Sequence, residues 1–357
     1  MDNPFYLYPL LLRFDLISHK PVITPRSFAS KMLKFYDQMG RKDLPWQQNK
    51  TAYSVWVSEI MLQQTQVKTV IPYYQKFLKS FPNVQALAQA DVDQVLQHWA
   101  GLGYYSRARN LHQCAKMVVS EYQGDFPRTL EEIIKLPGIG ESTGGAILSL
   151  AYGLPEAILD GNVKRVLARV FLVEGWYGVS SVSKALWQLS RQYTPKSRTG
   201  DFNQAMMDLG ASLCSRSQPL CSECPLKNDC AAHLQDKTVE FPHRKPKKKI
   251  PTKQATMLLT LNDHDQIQLI KRPPSGIWGG LWSLPEIQAN SDQLERFDSF
   301  KHTFSHYHLQ VEVVAAQPTS QGVEENSNAA WHNIDQLPSL ALPTPIKKFL
   351  SKHFDFG

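Results

Sequence analysis

Four of the five cysteines in this 357-residue chain lie close together in the sequence, where their thiols could bind a metal centre. They define a loop, 214–230, in the spacing C-x6-C-x2-C-x5-C, and are Cys214, Cys221, Cys224 and Cys230. Zinc ribbons usually have two short pairs separated by a long loop, whereas only the central pair here has such spacing. A compact run of four thiolates is more typical of an iron–sulfur site. The spacing therefore predicts an iron–sulfur cluster, with a zinc site or two disulfides as alternatives.

A carboxylate suited to acid catalysis lies on a predicted helix that spans residues 52–66. Along this helix Glu59 has Val55 and Trp56 on one side and Leu62 on the other. Burial among these groups would raise the pKa of Glu59 toward neutrality, as a general acid near pH 7 requires. Three glutamines in the next turn favour this interpretation, because amides can donate and accept hydrogen bonds within a base stack. The alternative is an ordinary half-exposed glutamate.

A glycine hairpin and a second acid follow later in the chain. Gly138 and Gly140 flank one apolar residue, which permits a tight turn with outward-facing N–H groups. The helix that begins next adds its positive dipole end, so a phosphate could bind there. Asp160 precedes another helix, where its ordinary role would be an N-cap. With the hairpin, the basic pair that begins at Lys164 would surround this single acid with positive charge.

The segment 101–110 places an aromatic residue, Tyr104, beside two basic residues, Arg107 and Arg109. Aromatic rings can insert between bases while guanidinium groups hold backbone phosphates. The alternative is a tyrosine at a helix–helix interface with arginines on the surface.

The composition suits a polyanionic partner and a reducing compartment. The net charge is +7 with a pI near 9.0, and 42% of residues are hydrophobic, enough for folded cores. Clustered cysteines do not resemble a secreted disulfide framework, so an intracellular, cytoplasmic protein is expected. The apolar stretch 5–12 is too short to span a bilayer and lacks the basic region of a signal peptide. No membrane association is therefore expected, and residues 1–24 form an extension of unknown role.

The remaining pattern predicts two domains joined by a linker. Residues 25–234 show helical periodicity throughout, which predicts an all-α domain. Residues 235–250 contain a basic run with prolines and are predicted to be a linker, either solvated or in contact with phosphate. Residues 251–357 combine strand patterns with helices predicted at 294–300 and 345–353, which is typical of an α+β domain.

Several long motifs resemble those of MutY-type adenine DNA glycosylases, which are helix-hairpin-helix enzymes. The motifs are LPW (44–46), SEIMLQQTQV (58–67), GLGYYSRARNLH (101–112), ILDGNVKRVLARV (158–170) and FNQAMMDLGA (202–211). The resemblance covers the chain from about residue 25 onward. It implies a helical glycosylase domain with one 4Fe-4S cluster on the four cysteines, followed by a Nudix-like domain. It also implies double-stranded DNA with adenine opposite 8-oxoguanine or guanine as the substrate, and we expect a monomer.

The resemblance also implies a role for individual residues. Glu59 matches the acid that protonates adenine, and Asp160 matches the carboxylate that stabilises the oxocarbenium sugar. Roles in binding the adenine or the opposite base are implied for Trp46, Gln64, Tyr104, Ser142, Asn162 and Gln204. Contacts with the DNA backbone are expected for Gly138, Gly140, Lys164, Arg107 and Arg109. The loop that recognises the damaged base is matched by Phe304, Ser305 and His306.

Two other functions remain open at this point. Bifunctional relatives of the endonuclease III type carry a nucleophilic lysine two residues after the hairpin's final glycine, where this chain has Ser142. A monofunctional glycosylase is therefore expected rather than a combined glycosylase and lyase. The second alternative is a non-catalytic iron–sulfur protein that binds DNA. The Nudix-like region lacks the dense glutamate box that holds magnesium, so no Nudix hydrolysis is expected.

Overall fold

The computed structural model describes residues 23–246, 249–287, 294–316 and 328–355, so most of the N-terminal extension lies outside the described residues. These residues divide into two compact units. The first unit contains 23–59, 126–135 and 139–246, and the second contains 60–125, 136–138 and the described residues from 249 onward. The domain boundary at 235–250 stays a prediction, because the second unit takes residues from both sides of it.

Helices occupy the described chain up to residue 234 and recur once near its end. In chain order they are α1 (Pro25–Met39), α2 (Pro45–Gln48), α3 (Ala52–Leu62), α4 (Val67–Ser80), α5 (Val84–Gln89), α6 (Val92–Trp99), α7 (Ser106–Tyr122), α8 (Leu130–Ile133), α9 (Glu141–Tyr152), α10 (Gly161–Val170), α11 (Ser180–Tyr193), α12 (Thr199–Ala211), α13 (Ala231–Leu234) and α14 (Thr344–His353). Short 3₁₀ helices lie at Cys221–Glu223 and Ile334–Ser339. The predicted all-α region is thus confirmed.

Strands begin after residue 251 and build two sheets. They are β1 (Thr252–Thr260), β2 (Gln266–Lys271), β3 (Trp282–Ser283), β4 (Glu286–Ile287), β5 (Glu295–Thr303), β6 (His308–Ala316) and β7 (Ala329–Asn333). One sheet has the order β4-β1-β6-β5 and the other the order β3-β2-β7. The predicted α+β character of this region is confirmed.

An aromatic core in the first unit fixes the helix that follows Asp160. Phe28 on α1 is fully buried, and its ring centroid lies 5.3 Å from Tyr193, 6.0 Å from Phe202 and 6.3 Å from Phe171. Burying a side chain of this size stabilises a fold by roughly 2–3 kcal/mol. Because these rings come from α1, α11, α12 and the end of α10, the four helices are held as one block.

A tight hairpin in the second unit presents the predicted base-recognition loop. β1 and β6 run parallel, from Thr252 opposite His308, whereas β5 and β6 run antiparallel. The turn between β5 and β6 is closed by a hydrogen bond from Phe304 N to Tyr307 O of 2.9 Å. A two-stranded ladder with so short a turn gives the intervening side chains a defined orientation.

The helix predicted at 294–300 is wrong, because this segment belongs to β5. Its apolar residues recur every three positions, which imitates a helix, but the strand has a bulge between Arg296 and Asp298 that breaks the two-residue alternation. Phe297 and Phe300 consequently both pack near Phe349 of α14, with ring centroids 6.2 and 5.7 Å away. The helix predicted at 345–353 is confirmed as α14.

None of the helices in the described residues has the length and apolar character needed to cross a membrane.

Candidate active site

Glu59 and Asp160 approach each other from different segments of the first unit. Glu59 is a half-buried residue of α3, and Asp160 is the N-cap of α10, where its Oδ1 accepts a hydrogen bond of 2.8 Å from Val163 N. Removal from water raises the pKa of Glu59 to about 8, and repulsion by the Asp160 carboxylate is the second cause of this rise. Glu59 is therefore a carboxylic acid at neutral pH that lies within electrostatic reach of a second carboxyl group.

Hydrogen bonds and a nearby cation oppose the protonation of Asp160. The pKa of Asp160 is raised overall because burial is the largest cause, but hydrogen bonds from Val163 and Asn162 and the charge of Arg165 counteract this rise and favour the anion. Asn162 Nδ2 lies 3.1 Å from Asp160 Oδ2, and Arg165 Nη2 lies 2.8 Å from Asn162 Oδ1. Arg165 Nε also donates to Cys214 O at 2.8 Å, which fixes the orientation of the guanidinium. The two carboxyl groups are thus suited to different tasks, one as a proton donor and one as an anion.

Ser142 and Lys164 contact other parts of the first unit around Asp160. Ser142 Oγ accepts a hydrogen bond of 3.0 Å from Leu159 N and so fixes the backbone just before Asp160. The Nζ of Lys164 lies 5.4 Å from the centroid of the Tyr177 ring, at cation–π distance. The contacts of these two residues with DNA stay predictions.

The buried amide of Gln204 has a fixed orientation. Its Nε2 donates to Asp208 Oδ1 at 2.8 Å, and its Oε1 accepts from Gln47 Nε2. Asp208 is paired with Arg41 at 2.7 Å and can only accept, so the nitrogen of Gln204 must face Asp208. Gln47 Oε1 is buried and has no hydrogen-bond partner among the described residues. Trp46, beside Gln47 on α2, is only 6% exposed.

The glycine hairpin has the left-handed backbone conformation, at Gly138, that its sequence predicts. Gly138 has φ +79°, and a Cβ atom there would lie 2.9 Å from Asn110 Cβ, so a larger residue would be strained. Gly140 is the N-cap of α9, and as a glycine it has no side chain to cap the N–H groups of the first turn. Such a helix start favours an anion, but phosphate binding here stays a prediction.

A cleft in the second unit combines residues from the predicted intercalating segment and from the β5–β6 hairpin. Its volume is about 620 Å³, and it is lined by Tyr104, Arg109, Trp278, His302 and Phe304–His306, among others. Trp278 lies 5.8 Å from Phe304 and 5.9 Å from His302 between ring centroids. Tyr104 is 51% exposed. The cleft therefore offers aromatic faces together with the hydroxyl and imidazole of Ser305 and His306.

Arg107 does not have the position of a phosphate-binding residue, and this corrects the sequence prediction. It is only 9% exposed. Its guanidinium donates to main-chain carbonyls of two loops, including Gln63 O at 2.7 Å and Gly103 O at 3.1 Å. Arg109 is half-buried and donates through Nη1 to Gly279 O, so part of its hydrogen-bonding capacity is used within the protein.

Comparisons with known proteins decide the family. Residues 57–192 match the HhH-GPD superfamily of base excision DNA repair proteins, and residues 256–352 match the NUDIX domain. The chain is 40% identical to the adenine DNA glycosylase of Buchnera aphidicola subsp. Acyrthosiphon pisum (strain APS), over 92% of this chain and 98% of that protein. The chain belongs to the adenine DNA glycosylase family.

Further relatives agree with this assignment and with the fold. The adenine DNA glycosylase of Homo sapiens is 35% identical over 90% of this chain and 73% of its own length. A solved thermostable thymine-DNA glycosylase superposes with a TM-score of 0.52 at 28% identity, covering 59% of this chain and 97% of that one. The resemblance seen in the sequence is confirmed, as is the combination of a helix-hairpin-helix part with a Nudix-like part.

In this member of the adenine DNA glycosylase family the four clustered cysteines are free thiols near one another. Burial is the largest cause that raises the pKa of Cys224 to about 12 and that of Cys230 to about 11, and Cys214 and Cys221 are further causes of both rises. Arg169 Nη1 lies 3.2 Å from Cys214 Sγ. Among the residues that the structure describes, no three His, Cys, Asp or Glu side chains stand at metal-binding spacing. Four thiols with an arginine beside them still have the donor chemistry that an iron–sulfur cluster needs.

Sequence reasoning missed two residues of this glycosylase, Asp208 and Trp278, and it gave a third, Arg107, the wrong environment. Asp208 lies one helical turn after Gln204, and that spacing could have shown it as the partner of the amide. Trp278 was missed because its place in the cleft, where its φ is +54°, depends on contacts with residues far along the chain. No local pattern distinguishes the buried Arg107 from an exposed arginine.

Proposed function

We propose that this glycosylase hydrolyses the N-glycosidic bond of adenine placed opposite 8-oxoguanine or guanine in double-stranded DNA, in base excision repair and as a monomer. One observation carries the proposal: the pKa of Glu59 is raised to about 8, and the neighbouring Asp160 carboxylate accepts hydrogen bonds from Val163 N and Asn162 Nδ2. The identity of the base, adenine, is supported by the names of the relatives.

The reaction follows from these two roles. Glu59 donates its proton to a ring nitrogen of the extruded adenine, so the base leaves neutral with the electron pair of the broken N-glycosidic bond. The sugar becomes an oxocarbenium ion, which the Asp160 carboxylate stabilises electrostatically. Water then adds to the sugar carbon and loses a proton to the solvent or to a carboxylate. The products are free adenine and an abasic site.

The cleft of the second unit supports recognition of the opposite base. Tyr104 and Phe304 supply flat faces for stacking, which are tolerant of base identity. Ser305 and His306 supply hydrogen-bonding groups that could distinguish 8-oxoguanine from guanine by its altered edge. Gln64 is exposed, has φ +58° and lies two residues after the end of α3. We propose that these residues read the base opposite adenine.

The central experiment measures strand cleavage by the purified full-length protein. The duplexes carry adenine opposite 8-oxoguanine, adenine opposite guanine, or thymine glycol, each with and without alkali. We expect adenine release from the first two, and strand cleavage only after alkali, because Ser142 replaces the amine that a lyase uses. A stoichiometric adduct trapped by borohydride would contradict the monofunctional reaction, and cleavage confined to thymine glycol would contradict the adenine substrate.

We also propose that Cys214, Cys221, Cys224 and Cys230 hold one 4Fe-4S cluster. When bound, the cluster would serve as a structural crosslink of the loop. The side chains around it have a role of their own, because Arg165 and Arg169 both donate to Cys214 O and thereby connect this loop to α10. Arg165 therefore contacts both the backbone of the cysteine loop and Asn162, the hydrogen-bond partner of Asp160.

Substitution of Cys224 by serine tests the cluster. The variant should lose most of its iron and labile sulfide and should bind duplex DNA more weakly, because the loop is no longer crosslinked. Iron content, visible absorption and DNA affinity are the measurements. Cys114→Ala is the matched control, since this fully buried thiol lies on α7, far from the loop in sequence. Full iron content in Cys224→Ser, or equal loss in Cys114→Ala, would refute this ligand set.

A further inference from the structure

A single buried guanidinium joins two loops of the second unit. Arg107 Nη1 donates to Ile60 O, Met61 O and Gln63 O at 2.8, 3.0 and 2.7 Å. Its Nη2 donates to Leu102 O and Gly103 O at 3.2 and 3.1 Å, and more distantly to Thr65 Oγ1 at 3.4 Å. The first set of carbonyls lies in the last turn of α3 and just after it. The second set lies just before Tyr104.

Arg107 is bound as a cation by carbonyl groups. In the described part of the chain it forms no ion pair with a carboxylate, and burial lowers its pKa only to about 10, so it remains charged at neutral pH. The last carbonyls of a helix have no partner within the helix and carry the negative end of its dipole, which suits a cation. The rings of Trp99 and Tyr104 add cation–π contacts, at 5.3 and 5.7 Å from the guanidinium carbon.

Each of the two loops holds a non-glycine residue in the left-handed region of the backbone. Gln64 has φ +58° and Tyr104 has φ +50°, conformations that such residues adopt rarely without surrounding constraints. Tyr104 lines the cleft that also contains Phe304 and His306. Arg107 supplies the constraint, because its planar fork can bond both loops at once, which the ammonium of a lysine cannot reproduce.

We infer that Arg107 is a positioning residue: it holds Gln64 and Tyr104 in a fixed arrangement, in which they recognise the base opposite adenine. The inference rests on the proposed function, since it concerns how that base is distinguished. Arg107 touches no substrate in this role and acts through Tyr104 and the turn after α3. Its loss should therefore affect the choice between 8-oxoguanine and guanine more than it affects excision itself.

The test compares Arg107→Met, which removes all donors, with Arg107→Lys, which keeps the charge but not the fork. The ratio of kcat/KM for adenine opposite 8-oxoguanine to that opposite guanine should fall at least tenfold in Arg107→Met, mainly through KM. Arg107→Lys should lie between this variant and the wild type. Arg296→Met is the control, because Arg296 is an exposed residue of the same unit that pairs with Glu312 at 3.3 Å.

A double-mutant cycle with Tyr104→Leu separates positioning from general destabilisation. If Arg107 acts through Tyr104, the double variant should lose no more discrimination than the worse single variant. An unchanged ratio in both Arg107 variants, or strictly additive losses in the cycle, would overturn the inference. If Arg107→Met does not fold, the same readouts on Arg107→Lys decide. A wild-type protein that releases no adenine would instead refute the proposed function.

Discussion

Replacement of Glu59 by glutamine should abolish adenine release, with a loss of at least a thousandfold, while duplex binding persists. The amide has nearly the same shape but no proton to donate, so the base would have to leave as an anion. A thousandfold loss corresponds to about 4 kcal/mol of transition-state stabilisation. Single-turnover excision and the affinity for a mispaired duplex are the two measurements. Full activity of Glu59→Gln would contradict Glu59 as the proton donor and would leave it at most a role in binding.

The same substitution should change how stability depends on pH. Because the pKa of Glu59 is raised to about 8 in the folded protein from 4.5, the folded state binds more protons than the unfolded state between these pH values. The free energy of unfolding of the wild type therefore loses up to about 1.4 kcal/mol per pH unit as the pH rises through this window. Glu59→Gln removes this loss, so its melting temperature should exceed that of the wild type at pH 9 but not at pH 4.

An exposed glutamate provides the control for both effects. Glu121 lies on the surface of α7, and Glu121→Gln should leave both the excision rate and the pH dependence of the melting temperature unchanged. The wild-type rate itself should fall as the pH rises past about 8, where Glu59 loses its proton. A rate that stays constant to pH 10 would contradict Glu59 as the proton donor.

Replacement of Asp160 by asparagine should lower the excision rate by a factor of about a thousand with little loss of stability. Asparagine remains a good N-cap, so the hydrogen bond from Val163 N and the start of α10 should survive. The negative charge that stabilises the sugar cation is lost, however. Excision rates and melting temperatures distinguish this outcome from unfolding, which would lower both.

The charge of Asp160 should also be detectable at its neighbour. Because the Asp160 carboxylate is one cause of the raised pKa of Glu59, Asp160→Asn should lower that pKa. Carbon-13 NMR of the Glu59 carboxyl measures this shift directly. Asp91→Asn is the matched control, since Asp91 is also a helix N-cap, on α6, and it should change neither the rate nor the titration of Glu59. An unaltered Glu59 titration in Asp160→Asn would show that the two groups do not interact.

Much of the architecture could be predicted from local patterns. Apolar residues at helical spacing predicted the all-α region, and the change to strand patterns after residue 251 predicted the α+β region. The apolar neighbours of Glu59 predicted a raised pKa, which the structure bears out. The helix predicted at 294–300 was wrong, because one extra residue in β5 converts a two-residue alternation into an apparent helical period.

Helix periodicity, glycine turns and N-caps depend on near neighbours, so the amino-acid sequence was enough to indicate how each segment prefers to fold. That Glu59 and Asp160 share one environment, and that carbonyl groups enclose Arg107, could be seen only in the folded chain. The reason is that a pKa or a hydrogen bond depends on groups brought from distant positions by packing. An arginine on a helix has the same local sequence pattern whether its guanidinium meets a phosphate or a buried loop.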